Sequence, residues 1–192
     1  TGTPWIVINE IHYDPDVKTE LVEFIELYNA GTSEVELTGW YFREGVSYKF
    51  PPGSKLPANG YIIVAANPQH VRTKWSSGRF IVVPSLVLGP FAGKLDNDGE
   101  KIELCNAEGE EVDQVDYQLG FPWPTVGDSV PKVDPPNGTG CSIQLVNPFL
   151  DNDLGGSWRP AYPTPAAQNK EGYADNIPPQ IRQVKHSPEQ PR

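Results

Sequence analysis

An all-β sandwich is the fold this sequence predicts, on three observations. Its apolar runs are short, rich in Val, Ile, Tyr and Phe, and lack helical spacing. Turn signals separate them at intervals of roughly ten residues, the rhythm of a sandwich. The 192 residues include 21 Pro and 18 Gly, which forces frequent chain reversals and disfavours a helical architecture.

Two runs open the chain, Trp5–Tyr13 and Leu21–Asn29, joined by a polar connector with a proline. Each carries a carboxylate in its middle, Glu10 and Glu26. The cluster Asn29–Ser33 reads as a turn, and Val35-Glu36-Leu37 begins the next strand. Thr38–Phe42 and Ser47–Phe50 follow, and Pro51–Gly60, dense in Pro and Gly, is a loop. Tyr61–Asn67 (YIIVAAN) is the most apolar run and is expected as a central strand. Pro68–Trp75 is the one predicted helix, with Asn67 as its cap and Pro68 at the first position. Arg79–Pro84 is expected as another strand.

Beyond the glycine-rich stretch Gly89–Gly99 lies the clearest hairpin, Lys101–Asn106 with Val112–Gln118 across a turn containing Gly109. Its alternation slips once, near Asp113–Gln114. Phe121–Asn137 is proline-rich and irregular, and Cys141–Val146 is the last convincing strand. The domain is expected over 1–169. Residues 170–192 read as a linker entering a further domain cut off before it closes, an end expected to be poorly ordered or docked on the sandwich.

The formal net charge of −10 argues against nucleic acid and anionic membrane surfaces, since no basic run offsets it. No stretch of about 18 apolar residues is present to insert in a bilayer. The chain starts at Thr1 and has no methionine, so a mature or excised piece of a longer product is expected. The two cysteines, Cys105 and Cys141, are too few for a zinc site of CxxC spacing. A bridge between them would contribute roughly 3–4 kcal/mol. Parity weighs against one: Cys105 lies on the face opposite Ile102 and Leu104, whereas Cys141 shares a face with Ile143 and Leu145.

Several segments taken together resemble the lamin-tail domain family. Glu23–Asn29 (EFIELYN) matches its second strand, Val35–Trp40 its V-x-L-x-G-W step, and Leu56–Val64 its L-x-x-G-x-Y-x-V loop and strand. Leu95–Leu104 matches the turn and strand L-x-N-x-G-x-x-I-x-L, followed by Val112–Tyr117, Trp123-Pro124 and the closing Thr164–Asn169. One departure is Ala166, where the family's T-P-G-A-x-N has glycine. The resemblance implies an immunoglobulin-like β-sandwich, here with about eight or nine strands and one short helix. It also implies the form found in large secreted bacterial proteins beside other sandwiches and spore-coat-type kinase-like domains. In that form the domain is a non-catalytic interaction or scaffolding module, placed outside the cell or at its surface. Its partner would be a protein or a neighbouring domain of the same chain, and no cofactor is implied.

The candidate chemistry is thin. No G-x-S-x-G elbow is present, and His12, His70 and His186 are scattered through a strand, the helix and the tail. Glu10, Glu23 and Glu26 are the acids a glycosidase would need. Glu23 and Glu26 fall on opposite faces of one strand, however, and Glu26 reads as a structural acceptor for loop amides near Asn9 or Asn29. Asp96–Gly99 and Asp151–Asp153 set hard oxygens in tight turns, the chemistry of calcium and equally of Asx turns. Asn137-Gly138-Thr139 is a glycosylation sequon. Trp75, Trp123, Trp158 and Tyr162, expected in loops or at strand ends, could form a sugar platform, with Trp5 and Trp40 expected in the core. A carbohydrate-binding module, calcium-assisted or not, that targets an attached enzyme is therefore the alternative reading. No catalytic, cofactor or metal residues are assigned.

Overall fold

The computed structural model describes residues 5–78, 81–124, 140–169 and 173–174. Its elements run β1 (Ile6–His12), β2 (Phe24–Asn29), β3 (Val35–Glu36), β4 (Tyr41–Glu44), β5 (Tyr48–Lys49), β6 (Lys55–Leu56) and β7 (Tyr61–Ala65), then the helix α1 (Pro68–Lys74). β8 (Val87–Leu88), β9 (Gly99–Cys105), β10 (Glu111–Gln118), β11 (Ser142–Leu145) and β12 (Trp158–Ala161) complete the order. A six-stranded sheet, β12-β11-β1-β2-β7-β8, faces a four-stranded one, β10-β9-β4-β5, with the small pair β3-β6 at the side. The fold is thus an all-β, immunoglobulin-like sandwich with one short helix.

The expected number of strands is too low because the two-residue strands β6, within the stretch expected as a loop, and β8 are too short to show periodicity. β12 was not anticipated either. Two further expectations are corrected. Of the strand expected at Arg79–Pro84, residues 81–83 belong to no strand, Pro84–Leu86 is a 3-10 turn with β8 after it, and residues 79 and 80 lie outside the described residues. Pro84 has no N–H to place in a ladder. Trp5 is not core but 45% exposed at the mouth of β1, edge-on to Phe149. Trp40 is only half-buried against the core.

The hairpin forms as read, and the slip in its alternation is a bulge between Glu111 and Asp113. The helix also forms as read. Asn67 Oδ1 accepts from the amides of Gln69 and His70, and Pro68 opens the first turn. Cys105 and Cys141 are both buried and no disulfide joins them.

The main core lies between the two sheets, with Ile8, Ile11, Ile25, Leu27, Ile62 and Val64 facing Phe42, Ile102, Leu104, Val115 and Tyr117. Because strand side chains alternate, Phe24, Glu26 and Tyr28 point from β2 to the outer face, as do Ile63 and Ala65 from β7. That outer face is also buried. α1 covers Phe24, Ile63 and Ala65 through Val71. The remaining half carries Glu10, Glu26, Ser142 and Gln144, and the closing segment 162–169 lies over it. A second layer on the outer face is what makes the functional question specific.

The sheet edges are blunted. Arg72 of α1 donates to the carbonyls of Pro84 and Val87 at the β8 edge (3.2 and 2.7 Å). β12 contains Pro160, and on β10 the Asp116 amide is already taken by Asp153 (2.8 Å). Such devices suppress edge-to-edge pairing.

Candidate functional site: a buried carboxylate pair

Glu10 and Glu26 stand opposite each other across β1 and β2. A bulge between Ile8 and Glu10 turns Glu10 to the outer face while keeping Ile8 and Ile11 in the core. Both acids have 0% exposure.

What holds them there is a shortage of partners in the closing segment. Residues 162–169 read YPTPAAQN, and the prolines at 163 and 165 have no N–H. The amides between and after them belong to Thr164 and Ala166, which lie outside the sheet ladders. Each finds one acid: Thr164 N donates to Glu10 Oε1 (2.9 Å), and Ala166 N to Glu26 Oε2 (2.7 Å). Glu10 also accepts from Ser142 Oγ (2.5 Å), Gln144 Nε2 (3.3 Å) and Thr164 Oγ1 (2.8 Å). Glu26 accepts from Asn9 Nδ2 (2.7 Å). Asn169 ends the segment by donating to the carbonyls of Asn9 and Leu145, both at 3.0 Å. The acceptor role read for Glu26 is present, with Asn9 as one donor and Ala166 in place of Asn29 as the other.

Burial pushes the Glu10 carboxyl up to about 7, against the pull of its donors. Glu26 is raised well above the usual carboxylate range, first by burial and then by the charge of Glu10. A third acid behaves similarly: burial raises Asp113 to about 7, although it accepts from Ile8 N (2.6 Å) and Asn152 Nδ2 (2.7 Å).

The other candidates do not join this pair. Glu23 takes the Leu95 amide (3.1 Å) while Glu26 takes that of Ala166, on opposite sides of the strand. His12 is fully buried against Phe24 and Trp75, with Nδ1 3.3 Å from the Cys141 carbonyl, and burial lowers it to about 4. His70 Nδ1 accepts the Leu21 amide (3.1 Å), pinning a loop to α1. His186 and the sequon lie outside the described residues.

Both acidic turns are tied by their own backbone. Asp96 Oδ1 accepts from Asp98 N (2.8 Å) and Asp151 Oδ1 from Asp153 N (3.2 Å), the Asx-turn pattern. Asn152 reaches Asp113 and the Ile8 carbonyl, so the second turn stitches β1 to β10. Among the described residues, no group of three or more His, Cys, Asp or Glu is placed to hold a metal ion.

Of the aromatics weighed for the alternative sugar platform, the tryptophans are turned inward. Trp158 has 0% exposure, opens β12 and donates from Nε1 to the Asn152 carbonyl (2.7 Å). Trp123 is 8% exposed and packs on it with ring centroids 6.3 Å apart. Gly155 permits this packing, since a Cβ there would lie 2.7 Å from Trp123 N. Trp75 packs edge-on to Phe24 under the helix end.

Sequence reasoning missed Asp113, Asn152, Thr164 and Asn169. The signal available for the last two was the closing T-P-A-A-x-N string itself, a proline-broken segment that must find acceptors elsewhere.

The fold and this site define an immunoglobulin-like domain whose interior acids fasten its final segment to the sheet. A profile of the Lamin Tail Domain family matches residues 1–118, and the chain belongs to that family. The match includes Glu10, Glu26 and Asn9 but ends before β11, so Ser142, Gln144, Thr164 and Ala166 lie beyond it. No curated protein sequence matches the chain closely enough to count as a relative.

Proposed function

We propose that the chain is a non-catalytic interaction module of an exported bacterial protein, holding a protein partner or a neighbouring domain. The observation that carries this is the sealed acid pair. Glu10 and Glu26 have the raised pKa values often found at active sites, yet both are closed to solvent and engaged by structural donors. A general acid or base must reach its substrate, and among the described residues these two are engaged by Ser142, Gln144, Thr164, Asn9, Ala166 and Ala167.

A surface for contact lies elsewhere. A cleft of about 550 Å³ has Phe91, Ala66 and the half-exposed Leu21 as apolar lining, with Lys18, Lys94 and Glu20 among its other walls. Apolar side chains beside charges of both signs are the composition of a protein-contact surface. The export reading rests on the resemblance of the chain's motifs to secreted bacterial copies.

The test has two arms. The purified chain is offered chromogenic glycosides, esters, phosphates and peptides, and the neighbouring domains of its polypeptide are titrated against it with hydrogen exchange as readout. The expected result is no turnover, and protection on binding around Leu21 and Lys94. Turnover that disappears in Glu10→Gln or Glu26→Gln would refute the proposal.

A further inference from the structure

At the other end of the outer face, beside the acid pair, lies a compact pit of about 170 Å³. Aromatic rings and amides dominate its walls. Tyr28 and Tyr61 stack with ring centroids 4.6 Å apart, Phe149 is 60% exposed, and Asn59 and Gln168 stand exposed on the rim. Outside the pit Trp5, 45% exposed, supports Phe149 edge-on at 5.0 Å.

Charge is the informative feature. The chain carries 25 acidic and 15 basic residues, yet among the described residues no Asp, Glu, Lys or Arg lines this pit. Its size is also restrictive, well below the roughly 300–1,000 Å³ of drug-sized or cofactor sites. A pit whose described walls are uncharged rings, with amide donors and acceptors beside them, suits a ligand with matching properties. That ligand presents an apolar ring face to stack, a periphery of hydroxyls to bond, and no charge.

We propose that this pit binds one ring of a neutral polysaccharide, stacked against Phe149 and the Tyr28–Tyr61 pair, with Asn59 and Gln168 bonding its hydroxyls. The Tyr28 hydroxyl already donates to Asn59 Oδ1 at 3.4 Å, a long bond that leaves the Asn59 amide nitrogen to donate to a sugar oxygen. The rings sit on a rigid base. Tyr28 and Tyr61 are opposite residues of β2 and β7, and the neighbouring Asn9 and Asn169 are fixed by the acid-pair network. Preorganisation of this kind is what a weakly held neutral ligand needs. An extended proline-rich peptide would also favour neutral aromatic walls, but it needs a groove several residues long, whereas this site is a single compact pit.

This inference concerns a different surface from the Leu21–Phe91 cleft and does not depend on the protein-contact reading. The test is titration of the intact chain with cellohexaose, xylohexaose, mannohexaose, chitohexaose, an anionic oligogalacturonide and a proline-rich peptide, by calorimetry and NMR. The expected result is saturable binding of at least one neutral oligosaccharide, with shifts at Tyr28, Tyr61 and Phe149. Phe149→Ala and Gln168→Ala, both at exposed positions, are expected to keep the melting temperature. Phe149→Ala should weaken the affinity about tenfold or more, the loss of an aromatic anchor. The proposal is overturned if no neutral oligosaccharide binds, if binding is indifferent to Phe149→Ala, or if only the anionic oligomer or the peptide occupies the pit.

Discussion

Replacing Glu10 by Gln should make the protein relatively more stable as pH rises, by an amount the site itself fixes. Folding raises the Glu10 carboxyl from its ordinary 4.5 to about 7, so between those values the folded state holds a proton that the unfolded state has released. Stability therefore falls as pH rises through that window. At about 1.4 kcal/mol per pH unit, the full excursion is worth about 3 kcal/mol. Glutamine has no such titration and nearly the same shape. Its carbonyl can keep the Thr164 amide and the Ser142 hydroxyl, while its NH2 donates to Thr164 Oγ1, whose hydroxyl is already 3.3 Å from Asn169 Oδ1.

His12 works in the opposite sense. Burial lowers it to about 4, so its contribution is lost as pH falls from about 6.5 towards 4. It is present in both proteins and cancels in the difference. The assay is urea unfolding of wild type and Glu10→Gln at intervals from pH 4.5 to 8. The stability difference should move by about 3 kcal/mol in favour of the variant between pH 4.5 and 7.5, somewhat less if Glu26 relaxes when its charged neighbour is gone. A difference that stays flat across this range would refute the buried, proton-holding Glu10.

Three further outcomes are expected. Ala166 has φ +59°, a left-handed conformation that strains a residue with a Cβ by roughly 1–2 kcal/mol. Ala166→Gly relieves this and gives back part through the freer unfolded chain. A net gain of about 0.5–1 kcal/mol in chemical denaturation is expected, and a loss would contradict the strain. Trp158→Ala should cost about 3–5 kcal/mol, seen as a lower urea midpoint, because the ring is wholly interior and bonded to Asn152; a near-neutral result would return Trp158 to the surface. Finally, the melting temperature should be the same in excess chelator and in millimolar calcium, since both acidic turns are closed by Asx bonds to their own amides. A rise with calcium would reinstate the metal reading.

Much of the sandwich was legible because strands advertise themselves by alternation and turns by glycine and proline. The β9–β10 hairpin could be read down to its bulge, since Asp113–Gln114 interrupts an otherwise regular pattern. The helix was equally clear, with cap and proline adjacent in the chain. The two-residue strands β6 and β8 carry too few side chains to show a period, and β12 begins with a tryptophan and contains a proline, which reads as a loop.

The site was half legible. Glu26 among apolar neighbours announced a buried acceptor, but local sequence does not reveal a donor 140 residues away at Ala166. The burial of the tryptophans was misread for a related reason. Trp158 is buried by Trp123 and Asn152, contacts that arise only when distant loops meet, while Trp5 sits at the end of its strand, where the sheet stops covering it.

The central claim is that Glu10 and Glu26 exist to fasten the closing segment onto the sheet. Native-state hydrogen exchange at the amides of Thr164 and Ala166 tests it most directly. Both should exchange only through global unfolding, with the same free energy and denaturant dependence as core amides of β2 and β7. Rapid exchange at either position, independent of global stability, would mean that the segment opens on its own and that the acids are exposed for some other purpose.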